Sequence, residues 1–291
     1  MNRCLAGLIV LCLAGCGGSA DTTAKPDDET LQREANAGQL AMQLERPEEA
    51  VARYQEALTR AQARDDLAAI GDLGYNLAVA ELDSDHPDRA LQVARSTEQE
   101  LRRRGTTAFP ALLLVEATAL YRTGDLAAAD KLARQAAAGS DKQAAARATF
   151  LSGLIADDRG DEAGLAAAAD ALSSATDPSL QADAAELAAR MALRRGDQAG
   201  ARRAAERAVT LRQQTLDYRG LARALALDGE AAKRAGDAKA ASDLYLRAGR
   251  SAAAQGDATS ARRWLKEAAS LATEESVRSA ATELLGELGS S

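Results

Sequence analysis

Small apolar residues, mostly alanine and leucine, recur at helical spacing along most of the chain, and short polar breaks separate the runs. The breaks are marked by a repeated dipeptide: Gly124-Asp125, Gly160-Asp161, Gly196-Asp197, Gly236-Asp237 and Gly256-Asp257. The first four lie 36, 36 and 40 residues apart, and Ala or Leu follows five residues past each Gly. A repeat of this size predicts a helical solenoid, with helical segments before and after every break. Such a stack is expected to expose a long concave surface and no buried pocket, which suits binding better than catalysis. Residues 274–288 read as a last helix that caps the stack.

Composition supports an all-α fold. Hydrophobic residues make up 46% of the 291 but aromatics only 3%. Alanine is the best helix former, and the aromatic and β-branched residues that favour strands are scarce. Net charge is −7, which argues against a nucleic-acid partner. Acidic and basic residues alternate along the helices, as on solvated faces.

The three cysteines, Cys4, Cys12 and Cys16, all fall in the first sixteen residues. The rest of the chain therefore has no disulfide framework, thiolate metal site or Cys nucleophile. Arg3 and the apolar run Leu5 to Ala14 have the layout of a secretory signal, too short to span a bilayer. The run ends in Leu13-Ala14-Gly15-Cys16, which resembles the lipobox of bacterial lipoproteins. That resemblance implies cleavage before Cys16, lipid on its sulfur and amine, and anchoring by the acyl chains. With Gly17 next, it implies the outer membrane, periplasmic face, of a Gram-negative host. Residues 17–30 are small, polar and acidic, and read as a tether. The expected organisation is a signal over residues 1–15, lipidated Cys16 and tether to residue 30, and the solenoid over 31–291.

The repeats can be matched residue by residue. Gly38, Ala50, Tyr54 and Ala57 frame Glu45-Arg46-Pro47, and Ala78 and Ala90 frame Asp85-His86-Pro87. Ala117, Ala129, Ala133 and Ala136 surround Gly124; Gly153, Leu165, Ala169 and Leu172 surround Gly160. Ala189, Ala201, Ala205 and Ala208 follow around Gly196, then Gly229, Ala241, Tyr245 and Ala248 around Gly236. Gly249, Ala261, Leu265 and Ala268 frame Gly256. This pattern resembles the tetratricopeptide repeat (TPR), a helix-turn-helix unit of about 34 residues. The resemblance implies a right-handed α-solenoid of about seven degenerate repeats plus a capping helix. Gly at the turn suits the left-handed end of a helix, and the following Asp suits an N-cap. The final 20-residue step, from Gly236 to Gly256, makes one segment serve two overlapping matches. It marks the C-terminal end as the place where a regular repeat should fail.

In TPR proteins the first helix of each unit lines the concave face. By resemblance the partner-binding groove comprises Tyr75, Val79, Leu82, Leu114, Tyr121, Phe150 and Leu154, followed by Arg190 and Arg194. Glu186, Arg223, Glu230 and Lys233 occupy equivalent positions in the second half. The groove is thus expected to be apolar near the N-terminal end and charged further on; the alternative is that these side chains pack between helices. The Lys and Asn set by which some TPR domains grip a terminal carboxylate is replaced here by Tyr75, Val79, Leu114 and Thr118, with only Asn76 in its pattern.

No enzyme is expected. His86 is the single histidine, so His-based triads and His-rich metal sites are excluded, and no cofactor or metal is implied. Asp157-Asp158 with Asp161-Glu162 lacks the ligand alternation of a calcium loop. No phosphate-binding Gly-rich motif occurs. Trp264 reads as a half-buried anchor in the last repeat. The functional expectation is a lipid-anchored, periplasm-facing adaptor that holds an envelope protein in its groove. Proteins of similar build serve pilus or secretin assembly, outer-membrane assembly or cell-wall enzymes. The alternative is a small-ligand-binding lipoprotein accessory to an envelope transporter.

Overall fold

The structure is a computed structural model that describes residues 28–106 and 110–289. The signal, Cys16 and most of the tether lie outside the described residues. The described residues form fourteen α-helices and no strand. They run α1 (Glu29–Gln43), α2 (Pro47–Ala63), α3 (Leu67–Asp83), α4 (Pro87–Arg103), α5 (Pro110–Thr123), α6 (Leu126–Ala137) and α7 (Lys142–Arg159). Then come α8 (Glu162–Leu172), α9 (Pro178–Arg194), α10 (Gln198–Gln214), α11 (Tyr218–Arg234), α12 (Ala238–Ala254), α13 (Ala258–Leu271) and α14 (Glu275–Gly289). The first helix begins two residues before the expected start of the solenoid, because Asp28 caps it by accepting from the Thr30 and Leu31 amides.

One short code ends each regular helix and starts the next. Residues in the left-handed region stand at 45, 65, 85 and 105, then at 124, 160 and 196, then at 216, 236 and 256. After each comes a residue whose backbone N–H reaches back across the helix end, as from Asp125 to the Leu120 carbonyl and from Asp237 to Ala232. The carboxylates of those two residues then cap the following helix, accepting from the amides of Ala128 and Ala240. At Arg46-Pro47 and His86-Pro87 the proline opens the helix instead, where its missing N–H costs nothing.

These positions correct the expectation about spacing. Twenty residues, a 17-residue helix plus its turn, is the regular step at both ends of the chain. The step from 236 to 256 is therefore the rule. Its counterparts at Asp65 and Leu216 lacked the glycine that would have marked them, and Gly105 lacked the aspartate. The irregular part is the middle, where α6 and α8 shrink to 12 and 11 residues. The turns that follow α6 and α8, over residues 138–141 and 173–177, carry no left-handed residue.

Each helix packs on the next, and α3, α5, α7, α9 and α11 also touch in succession as an inner layer. Beyond α11 the second-neighbour contact passes to α12 and α14. Helix α12 pairs with both α11 and α13, so seven matches fit the stack with α14 as cap. The small residues of the pattern sit at the helix contacts: Ala50, Ala78, Ala117, Ala129, Ala189, Ala201, Ala241 and Ala261 are fully buried. A methyl group added at Gly249 would lie 2.6 Å from Leu265 Cγ, so backbones approach there as only glycine allows. In α8 the pattern slips by one residue, burying Ala168 in place of Ala169.

Candidate functional site: a concave cavity

The inner layer curls round a cavity of about 960 Å³. It is a partly open concavity and not a buried pocket. Small rotations between successive units accumulate along a solenoid. Here they bring the start of α11 back to the end of α3, where Arg219 Nε lies 3.6 Å from Asp83 Oδ1.

Eight of the nine expected groove residues line this one cavity. Helix α3 supplies Tyr75, Val79 and Leu82; α5 supplies Leu114 and Tyr121; α7 supplies Phe150 and Leu154; α9 supplies Arg190. Arg194 faces an adjoining space of about 430 Å³ instead. Of the other second-half positions, Arg223 and Glu230 line the main cavity. Glu186 is fully buried behind it, and Lys233 turns away to pair with Glu267 at 2.7 Å.

The charged wall is built from ion pairs between neighbouring helices. Glu186 receives Arg190 and Arg223, each at 3.2 Å, and Arg212 at 3.4 Å. Arg212 also binds Asp183, and reaches Asp217 at 2.7 Å. Asp157 takes Arg190 at 2.9 Å and also Arg194. Burial alone would raise the Glu186 carboxyl, but Arg223, Arg190 and Arg212 outweigh it and hold it at about 2. Asp183 goes the other way, because its burial is only partly offset by Arg212. Phe150 lies between the two walls, with the guanidinium carbons of Arg212 and Arg223 each 5.8 Å from its ring centre.

Sequence reasoning missed the far wall. Tyr245 and Trp264 line the same cavity, from α12 and α13, and Trp264 is buried, not half-buried. Five of the seven aromatics among the described residues therefore meet in one place: Tyr75, Tyr121, Phe150, Tyr245 and Trp264. Aromatic scarcity elsewhere was the available signal. Tyr245 had been assigned to helix packing because it fills a consensus core position, and it does both. Tyr121 donates to Asp158 at 2.7 Å and Tyr245 to Glu230 at 2.8 Å, so both hydroxyls are fixed. Burial, then the adjacent carboxylate, raises the pKa of each.

The candidates for catalysis have structural partners. His86 Nδ1 lies 3.1 Å from Glu81, and its backbone caps α4. Asp161 caps α8. No group of three or more His, Cys, Asp or Glu is gathered as metal ligands would be among the described residues.

No protein-family model matches the chain, and no curated protein sequence does either. Solved structures do match. The apo form of the quorum sensor NprR from B. thuringiensis aligns at a TM-score of 0.58. It is 11% identical, over 90% of this chain and 86% of that one. A tetratricopeptide repeat protein from Parabacteroides merdae covers 90% of this chain and 100% of its own, at 17% identity and a TM-score of 0.48. The likeness shows the fold alone, an all-helical solenoid of TPR type.

Proposed function

We propose that the protein is a lipid-anchored adaptor whose concave cavity holds an apolar segment of an envelope protein. The observation that carries this reading is the gathering of five of the seven described aromatics on one cavity in a chain otherwise packed mainly through alanine and leucine. Aromatic side chains supply large contact areas and dominate binding energetics. The Leu13-Ala14-Gly15-Cys16 motif supports a lipid on Cys16, and Gly17 supports the periplasmic face of an outer membrane.

The test is a crosslinked capture from detergent-solubilised envelopes with three baits: wild type, Tyr75→Ala and Phe150→Ala. A protein retained by wild type and lost on both variants supports the reading. Equal retention on all three would sink it. Labelling with a palmitate analogue, present in wild type and absent in Cys16→Ser, tests the anchor separately.

The volume of the concavity gives the small-ligand alternative an observation of its own. About 960 Å³ falls within the roughly 300–1,000 Å³ of typical ligand pockets. A thermal shift with an apolar small molecule, abolished by Phe150→Ala, would favour that reading over a protein partner.

A further inference from the structure

Arg219 stands in the first turn of α11 and reaches across the mouth of the cavity. Besides its contact with the Asp83 carboxylate, it donates to the Asp83 backbone carbonyl. The same nitrogen lies 3.4 Å from the carbonyl of Gln255, the residue that ends α12. One guanidinium thus ties together the C-terminal ends of α3 and α12, both of which carry the negative end of a helix dipole. Asp83 and Arg219 are 136 residues apart. The other ion pairs of the groove join adjacent units: Arg190 with Asp157, Arg212 with Asp183, Arg223 with Glu186. These hold the wall whatever the curvature of the whole, whereas the Arg219 contact exists only when the superhelix is closed. Asp85 of the α3–α4 turn and Thr259 of α13 face the same opening.

We propose that Arg219 is a latch that closes the superhelix over the cavity, so that the bound segment is admitted when this contact opens. The inference rests on the reading of the cavity as a binding site. Its ion pair with the Asp83 carboxylate is partly exposed and salt-sensitive, and the two carbonyl contacts beside it depend on the same guanidinium, so the contact can open as a unit. Closed, it links the α11 and α3 ends of the inner layer across the mouth; open, it leaves those ends unlinked. The walls need not rearrange, because their own pairs are local.

Cysteine labels can be placed cleanly, since the native cysteines lie at positions 4, 12 and 16. The full chain with those three changed to serine would carry Asp88→Cys and Gln213→Cys, both exposed, one in the first turn of α4 soon after Asp83 and the other in the last turn of α10 shortly before Arg219. Electron–electron distance measurement on attached spin labels should give one narrow distribution at low salt. Arg219→Ala should broaden it and shift it to distances beyond the wild-type range. About 1 M salt, where the screening length is about 3 Å, should move wild type the same way. An Arg219→Ala distribution that coincides with wild type at low salt overturns the latch. If that variant does not fold, judged by circular dichroism, Arg219→Met, which keeps the stem and removes every donor to Asp83 and Gln255, decides the matter with the same labels and the same two outcomes. A latch that opens as described in a protein that captures no partner refutes the role of the cavity. Capture with label distances unchanged from the closed state refutes the latch.

Discussion

The wall built by α3, α5 and α7 presents Tyr75, Val79, Leu114 and Phe150 to the cavity, whereas the wall from α9, α10 and α11 presents Arg190, Arg212 and Arg223 already paired with Asp157, Asp183 and Glu186. Both were expected from position alone to be contact surface. They differ in what remains available. An apolar side chain lining a cavity gains by covering, at about 25 cal/mol per Å² of surface removed from water. A guanidinium held by one to three carboxylates is already charge-compensated, and pulling it away leaves uncompensated charge. The charged wall is therefore structural and the apolar wall free to bind.

The sharpest way to break this contrast is Glu186→Gln. It leaves three guanidiniums facing a neutral amide in a fully buried position, and should lower unfolding free energy by about 3–5 kcal/mol in urea titrations. A loss below about 1 kcal/mol would mean the wall is not held by its ion pairs.

Acid should expose the same network. The folded Glu186 carboxyl sits at about 2, below its ordinary 4.5, so its stabilisation is present above pH 4.5 and is lost as pH falls toward 2. Asp183, raised in the fold, pulls the opposite way as it takes up its proton. Wild type should weaken between about pH 4.5 and pH 2, and Glu186→Gln should flatten or reverse that slope. An unchanged slope in the variant would contradict the assignment.

On the apolar wall the effect belongs to binding. Tyr75→Ala and Phe150→Ala should each weaken partner capture about tenfold or more, the range of a binding hot spot, with helix content unchanged. Arg194→Ala, which faces the adjoining space, should leave capture within about twofold. The reverse ranking would exchange the roles of the two walls.

The smallest effect lies outside both walls. Leu216 adopts φ +54° in an exposed turn, a conformation that strains any residue with a Cβ. Leu216→Gly should raise stability by about 0.5–1 kcal/mol, read as a higher melting temperature with no change in capture.

Much of this was legible in the chain. The alanine and glycine positions named the helix contacts because only small side chains fit there, and Ala78, Ala129 and Ala241 are all fully buried. Gly-Asp named the turns because each half has its own backbone task. Where Asp65 or Leu216 does the work of that glycine the signal vanished, since the left-handed conformation is imposed by the flanking helices at some cost in strain. Groove positions on α3, α5 and α7 could be assigned through the resemblance to the repeat, which places the first helix of each unit on the concave face.

Local sequence thus determined the helices, their caps, their small-residue contacts and the face each presents, for these depend on neighbours within a few turns. Only the tertiary structure decided that the inner face closes on itself. It brought Tyr245 and Trp264 opposite Tyr75 and Phe150, paired Arg190 inward, and set Arg219 against Asp83. The reason is cumulative curvature: each unit adds a small rotation that no single repeat encodes visibly, and only their sum brings residues 136 apart into contact.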